Sequence, residues 1–246
     1  YEMTGKSTAW KQRAGIGCLA AGIIALGGPA LADDVGHDPL EGFNRAMFAV
    51  NEGLDTVAIK PVAQVYDFVT PLPVRVGVGD FFGNIADVRN ALNNALQGKL
   101  SDAGTDVGRL LINSTIGIFG LFDVASELGL EKHDEDFGQT LAVWGWDNSS
   151  FLFWPLLGPR TVRDTGGWVV DAYTDPTWYT LNKSVAARNS LVALRFVDVR
   201  AALLPTDKVV EEAALDKYAY VRDAYLQRRR NLIFDGRPPR LEDVMD

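Results

Sequence analysis

Hydrophobic and polar positions along the chain recur mostly with the period of an α-helix. Ile85, Val88, Leu92 and Leu96 form one stripe, Asn90, Asn93, Asn94 and Gln97 lie on the other side, and Gly98 ends the helix. Ser101 is placed to cap the next helix, with Asp102 in its first turn. Val107, Leu111 and Ile118 then share one face, while Arg109 and Asn113, four residues apart, share another. The uncharged run over 110–122 is too short to span a bilayer upright and reads either as a buried helix or as one lying partly in a bilayer. Pro159 is expected to open a helix to Ala172. A second helix runs from Ser184 to Leu204, ended by Pro205, and a long charged one with a solvated face runs from Lys208 to Arg230. Over 137–157 the periodicity breaks, and alternation at Thr140, Leu141, Ala142 and Val143 fits a short hairpin or an irregular loop. The predicted architecture is mainly α with a short hairpin.

The beginning of the chain reads differently. Lys6, Lys11 and Arg13 precede an uncharged apolar run over 14–26, and Ala30, Leu31 and Ala32 follow, the pattern of a secretory signal peptide spanning 1–32. Residues 33–246 are then expected to form one domain, closing with the charged helix and a tail. Cys18 is the single cysteine, which excludes an intramolecular disulfide; lipidation at Cys18 is the less favoured alternative to cleavage after Ala32. The net charge of −8 becomes more acidic once the basic leader is removed, which argues against nucleic acid as a partner.

The most distinctive composition lies over 137–171, where Trp144, Trp146, Trp154 and Trp168 cluster with Phe151 and Phe153 and charge is almost absent before Arg160. Such rings favour a membrane interface, and an aromatic core cluster is the alternative. Catalytic patterns are scarce. His133 stands among Glu131, Asp134, Glu135 and Asp136, where a solvated acidic loop is favoured over a metal or acid–base site, and His37 lies just past the leader. There is no nucleophile elbow, no zinc-protease helix and no phosphate-cradling glycine loop. No enzyme activity, cofactor or metal is expected.

Six segments in order carry a family likeness: DPLEGFNRAMFAVNEGLD from Asp38, LNNALQGK from Leu92, GRLLINSTIGIFGLFDVAS from Gly108, DFGQTLAVWG from Asp136, PLLGPRTVRD from Pro155 and YVRDAYLQRRRNLI from Tyr220. Together they resemble the MlaA family, also called VacJ. The resemblance implies an outer-membrane component of the Mla phospholipid transport system, which keeps the outer membrane asymmetric by removing mislocalised phospholipid from its outer leaflet. It further implies a ring of amphipathic helices embedded in that membrane around a central amphipathic channel. The implied partners are a trimeric porin and the periplasmic lipid carrier MlaC, on the periplasmic side.

On that resemblance, Phe43 and Asn44 of the GFNR motif are candidates for controlling access to the channel, with a hydrophobic staple and cap as the alternative. Arg109 and Asn113 are candidates for a phosphate contact, against internal pairing with Asp106 or Asp123. Trp144, Trp146, Phe151, Phe153 and Trp154 are expected to form a gate or a depth anchor, and Arg163 and Asp164 to fix the hairpin to the following helix. The chain departs from the family in lacking a cysteine at the favoured cleavage site, and in carrying Asn148, Ser149, Ser150 and Phe151 where many members have a Gly-Pro-Tyr type turn. A soluble periplasmic lipid carrier is the alternative function, and a hydrolase using His133 a remote one.

Overall fold

The computed structural model describes residues 38–146, 149–181 and 183–239; the leader with Cys18, the segment carrying His37, and Asn148 of the hairpin region lie outside the described residues. A first helical run comprises α1 (Glu41–Leu54), a π-helical turn (Asp55–Ile59) and α2 (Lys60–Val69). The widened turn comes just before Pro61, whose missing N–H disturbs the i to i−4 ladder. Then follow α3 (Leu72–Leu96), α4 (Leu100–Thr115), a single turn α5 (Val124–Glu127) and α6 (Phe137–Val143). The hairpin β1 (Phe151–Trp154) and β2 (Gly158–Thr161) leads to α7 (Val162–Thr174), α8 (Pro176–Thr180), α9 (Val185–Ala213) and α10 (Lys217–Ile233).

Several boundaries differ from those expected, each for a local reason. Helix α3 starts at Leu72, well before Ile85, because Pro71 and Pro73 fit its first turn. Lys99, not Ser101, stands at the N-cap of α4; Ser101 is already helical, and its carbonyl accepts from the Thr105 hydroxyl at 3.1 Å. The same helix stops at Thr115, so Ile118 does not share its face. Ile118, Phe119 and Gly120 take positive φ of 52°, 57° and 85°, and the N–H groups of Phe119 and Gly120 bond back to the Ser114 and Asn113 carbonyls.

Residues 140–143 belong to α6, capped by the Asp136 carboxylate on the Gln139 N–H, and the hairpin comes later, pairing Phe151 with Thr161 and Trp154 with Gly158. Pro159 is tolerated in this two-stranded sheet, and the next helix starts only at Val162, capped by Thr161. Pro205 does not end α9. Asp207 beyond it is held by Arg200 before it at 2.9 Å and by Lys60 of α2 at 2.9 Å, ties that brace the helix across the proline. The long charged helix is instead split before Lys217, where Asp216 caps α10 and pairs with Arg45.

Packing inverts the usual rule. Among the described residues, the buried hydrophobic side chains are five alanines with Phe82, Phe151, Phe153 and Tyr218, while seventeen buried residues are polar or charged. The aromatic cluster is local: Phe151, on one face of the hairpin with Phe153, meets both Phe153 and Tyr218 edge-on, with Met47, Phe48 and Tyr225 around them. Val57, Val65, Phe68, Leu111, Ile116, Phe119 and Tyr173 are among the many large apolar side chains left exposed, Phe119 at 76%.

Candidate functional site

The interior is built from two polar stripes with one spacing. Asp87, Asn90 and Asn94 recur at i, i+3 and i+7 on α3, and Asp106, Arg109 and Asn113 do so on α4; all six are buried. The helices run antiparallel, so the stripes meet rung by rung. The Asn94 amide donates to Asp106 at 2.8 Å, Arg109 faces Asp87, and the Asn84 amide donates to the Ser114 hydroxyl at 2.9 Å.

Arg109, fully buried, is the hub. Its two terminal nitrogens donate to Asp123 at 2.9 and 3.0 Å, to the Ser126 hydroxyl at 3.0 Å and to the Leu130 carbonyl at 2.7 Å. The remaining Nε lies 3.4 Å from Asp87 Oδ2, and neither atom has a hydrogen-bond partner. Asn113 donates to Asp123 at 2.9 Å and accepts from the Ala125 N–H at 2.8 Å, so the 123–130 turn is clamped to α4. Burial alone raises the Asp123 carboxyl, but hydrogen bonds from Ser126 and Asn113 and the Arg109 charge bring it down to about 2. Asp87 has the opposite balance: burial pushes it up to about 6 against the attraction of Lys132 and Arg109.

These two carboxylates give stability a signed pH profile. The favourable contribution of Asp87 is fully present below its unfolded pKa of about 4 and is lost as pH rises to about 6, a difference of roughly 3 kcal/mol. Burial raises Glu135 and Asp171 too and steepens that fall. The contribution of Asp123 is present above about 4 and lost as pH falls towards about 2. Denaturant unfolding of the detergent-solubilised protein is expected to show stability declining from about pH 4 to 6, and D87N to shrink that decline. An unchanged slope in D87N would refute the assignment to Asp87.

The acidic loop after α5 is solvated in part: Glu131, Lys132 and Asp134 are exposed, while His133, Glu135 and Asp136 are folded into this network. His133 Nδ1 lies 2.8 Å from buried Asp106, Asn90 bridges the His133 carbonyl at 2.7 Å and the Glu135 N–H at 3.1 Å, and Gln97 donates to the buried Glu135 carboxylate at 2.8 Å. Thr140 donates to Asn93, Asn93 to Asp171, and Asp171 accepts from the Phe137 N–H. A second cluster closes the molecule: Arg229 of α10 reaches Asp136 at 2.5 Å and Asp164 at 2.9 Å, and Tyr225 donates to Asp164 at 2.6 Å. Among the described residues, no group of three or more His, Cys, Asp or Glu is placed to hold a metal ion.

The other candidates divide between interior and surface. Asn44 is fully buried; its amide donates to Asp38 and to the Phe151 carbonyl at 3.1 Å and accepts from the Phe153 N–H at 2.8 Å, stitching α1 to β1, while neighbouring Phe43 is exposed. Phe151 and Phe153 lie in the aromatic cluster. Trp144 and Trp146 are exposed, and the Trp154 indole donates to Thr165 of α7 at 3.0 Å. Arg163 donates to the Trp146 carbonyl at 3.1 Å and pairs with Asp164, joining the segment before the hairpin to α7. The sequence pattern singles out Asp123 as a partner for Arg109, and the structure pairs them; Asp87, Asp171 and Arg229 are not singled out by it. For Asp87 the signal was its place in the stripe of Asn90 and Asn94.

Arg195 of α9 lies over the Phe82 ring at 5.9 Å and 3.8 Å from Asp175, partly exposed, with its pKa lowered by burial and by the Arg89 charge. Outside, no described helix is long and apolar enough to cross a membrane.

A helical chain that turns carboxylates, amides and guanidinium groups inward and aliphatic and aromatic side chains outward has the build of a protein that works against lipid. Comparison with known proteins agrees. The model of the family described as MlaA lipoprotein matches residues 36–232, and the chain belongs to that family. The intermembrane phospholipid transport system lipoproteins MlaA of Shigella flexneri and Escherichia coli (strain K12) are each 34% identical over 87% of this chain and 86% of their own. A solved structure described under the structural basis for maintenance of bacterial outer membrane lipid asymmetry superposes with a TM-score of 0.69 and 30% identity, covering 80% of this chain and 99% of that one.

Proposed function

We propose that this protein transports phospholipid in the maintenance of outer-membrane lipid asymmetry. In this reading it lies in the cell envelope, in the outer membrane on its periplasmic side. It takes mislocalised phospholipid from the outer leaflet through a central amphipathic channel in a ring of helices and passes it to the periplasmic carrier MlaC, in association with a trimeric porin. No chemical bond is made or broken, so it is not an enzyme. The observation that carries the reading is the reversed polarity: a buried polar lattice on α3 and α4 inside an apolar exterior. A headgroup needs polar walls, and the surrounding body needs apolar contact with acyl chains.

The decisive experiment measures phospholipid exposed on the outer leaflet of cells lacking the gene, with and without a plasmid copy. Accumulation reversed by the plasmid is expected; an unchanged outer leaflet would sink the reading. Recovery of the protein without detergent would instead favour a soluble periplasmic carrier.

A further inference from the structure

Among the described residues, Arg160 and Arg195 have a pKa held below the usual arginine value, chiefly by burial. Arg195 has a carboxylate, Asp175, at 3.8 Å. Arg160 has none within ion-pairing distance among the described residues, and its Nε is buried with no hydrogen-bond partner. Asp136 and Asp164 attract it from farther away, but both are already bonded to Arg229, which repels it.

The hairpin explains where this side chain lies. Phe151 and Phe153 turn one face of β1 into the aromatic cluster, so Leu152, Trp154 and Arg160, which pairs with Leu152 across the strands, occupy the other face. That face is bound to α7 through the Trp154–Thr165 hydrogen bond, and the Arg160 guanidinium lies over the Trp168 ring at 5.3 Å. The ring holds the cation in place without neutralising it. Trp168 is partly exposed, and Leu156 and Leu157 in the hairpin turn are exposed as well. A half-buried guanidinium with no ion-pair partner among the described residues, flanked by open apolar surface, matches an anion attached to a hydrocarbon chain.

We propose that Arg160, held over Trp168 between the hairpin and α7, binds the phosphodiester group of a glycerophospholipid. The guanidinium donates to the phosphate oxygens and the acyl chains lie against Trp168 and the hairpin turn. The site rests on the transport reading above and gives that route a contact point.

The test uses the full chain in an uncharged, phosphate-free detergent, titrated by calorimetry and tryptophan fluorescence with dihexanoyl phosphatidylglycerol, dihexanoylglycerol and sodium phosphate. Dihexanoyl phosphatidylglycerol is expected to bind the unaltered protein and to bind R160Q roughly tenfold or more weakly. R160K is expected to fall between, and dihexanoylglycerol to bind all three alike. Arg160 makes no hydrogen bond whose loss would unfold the hairpin, and matching melting curves check this. Equal phosphatidylglycerol affinity in R160Q and the unaltered protein overturns the site while leaving transport standing. No binding by the unaltered protein counts against the transport reading itself. Sodium phosphate binding as tightly as phosphatidylglycerol overturns the lipid assignment in favour of a free anion.

Discussion

Replacing Arg109 with methionine is expected to destabilise the protein by about 3–5 kcal/mol, the usual cost of removing one partner from a buried charge cluster. Methionine fills much of the arginine's volume, so the loss is electrostatic rather than a cavity effect. Asp123 would keep Ser126 and Asn113 but lose its counter-charge, Asp87 would lose the guanidinium beside it, and the Leu130 carbonyl would lose its donor. R109K is expected to do only part of the damage, because one ammonium cannot reach Asp123, Ser126 and Leu130 together. R109M combined with D87N should recover some of the loss, since it removes one uncompensated carboxylate. Denaturant midpoints in detergent measure all of these. A loss below about 1 kcal/mol in R109M would mean that the cluster is open to water and does not organise the interior.

The sequence made the members of this cluster visible but not its direction. Asn90, Asn94, Arg109 and Asn113 stand out by helical spacing, and Asp87 and Asp106 share it. An amphipathic pattern looks the same, however, whether the apolar side is packed in a core or faces lipid. Leu92 and Leu96 are exposed while the asparagines opposite them are buried. Family motifs supplied the architecture that periodicity alone left open. What stayed hidden depends on contacts distant in sequence. Arg229 meets Asp136 across 93 residues, and nothing local in the charged C-terminal helix singles it out from Arg228 or Arg230. Past Pro205, α9 is braced by an ion pair from Asp207 to Lys60 of α2, far away in sequence, and the left-handed turn at Ile118 and Phe119 runs against what a β-branched and an aromatic residue prefer.

A lattice of buried hydrogen bonds needs its helices at fixed separations, because a polar group shifted by an ångström is a polar group unpaired. Two glycines set one such separation. A Cβ on Gly167 of α7 would lie 2.3 Å from the Gly138 nitrogen and 2.7 Å from its Cα, so the backbones of α6 and α7 touch there. A Cβ on Gly138 would lie 2.6 Å from Asp164 Oδ1 and 3.0 Å from a terminal nitrogen of Arg229, beneath the cluster that anchors α10.

Gly167→Val is therefore expected to be among the most damaging single changes in the chain, costing on the order of 3 kcal/mol or more, because the obstacle is backbone that cannot swing aside. Forcing α7 from α6 would also pull Asp164 from Arg229 and Asp171 from the Phe137 N–H. The neighbouring Gly166 supplies the control: nothing lies within 4 Å of its Cβ position, so Gly166→Ala in the same helix should be neutral or stabilising by about 0.4–1 kcal/mol. Steady-state protein level in cells and melting in detergent should separate the two variants. Equal stability of the two would show that α6 and α7 tolerate a wider spacing than the hydrogen-bond lattice allows.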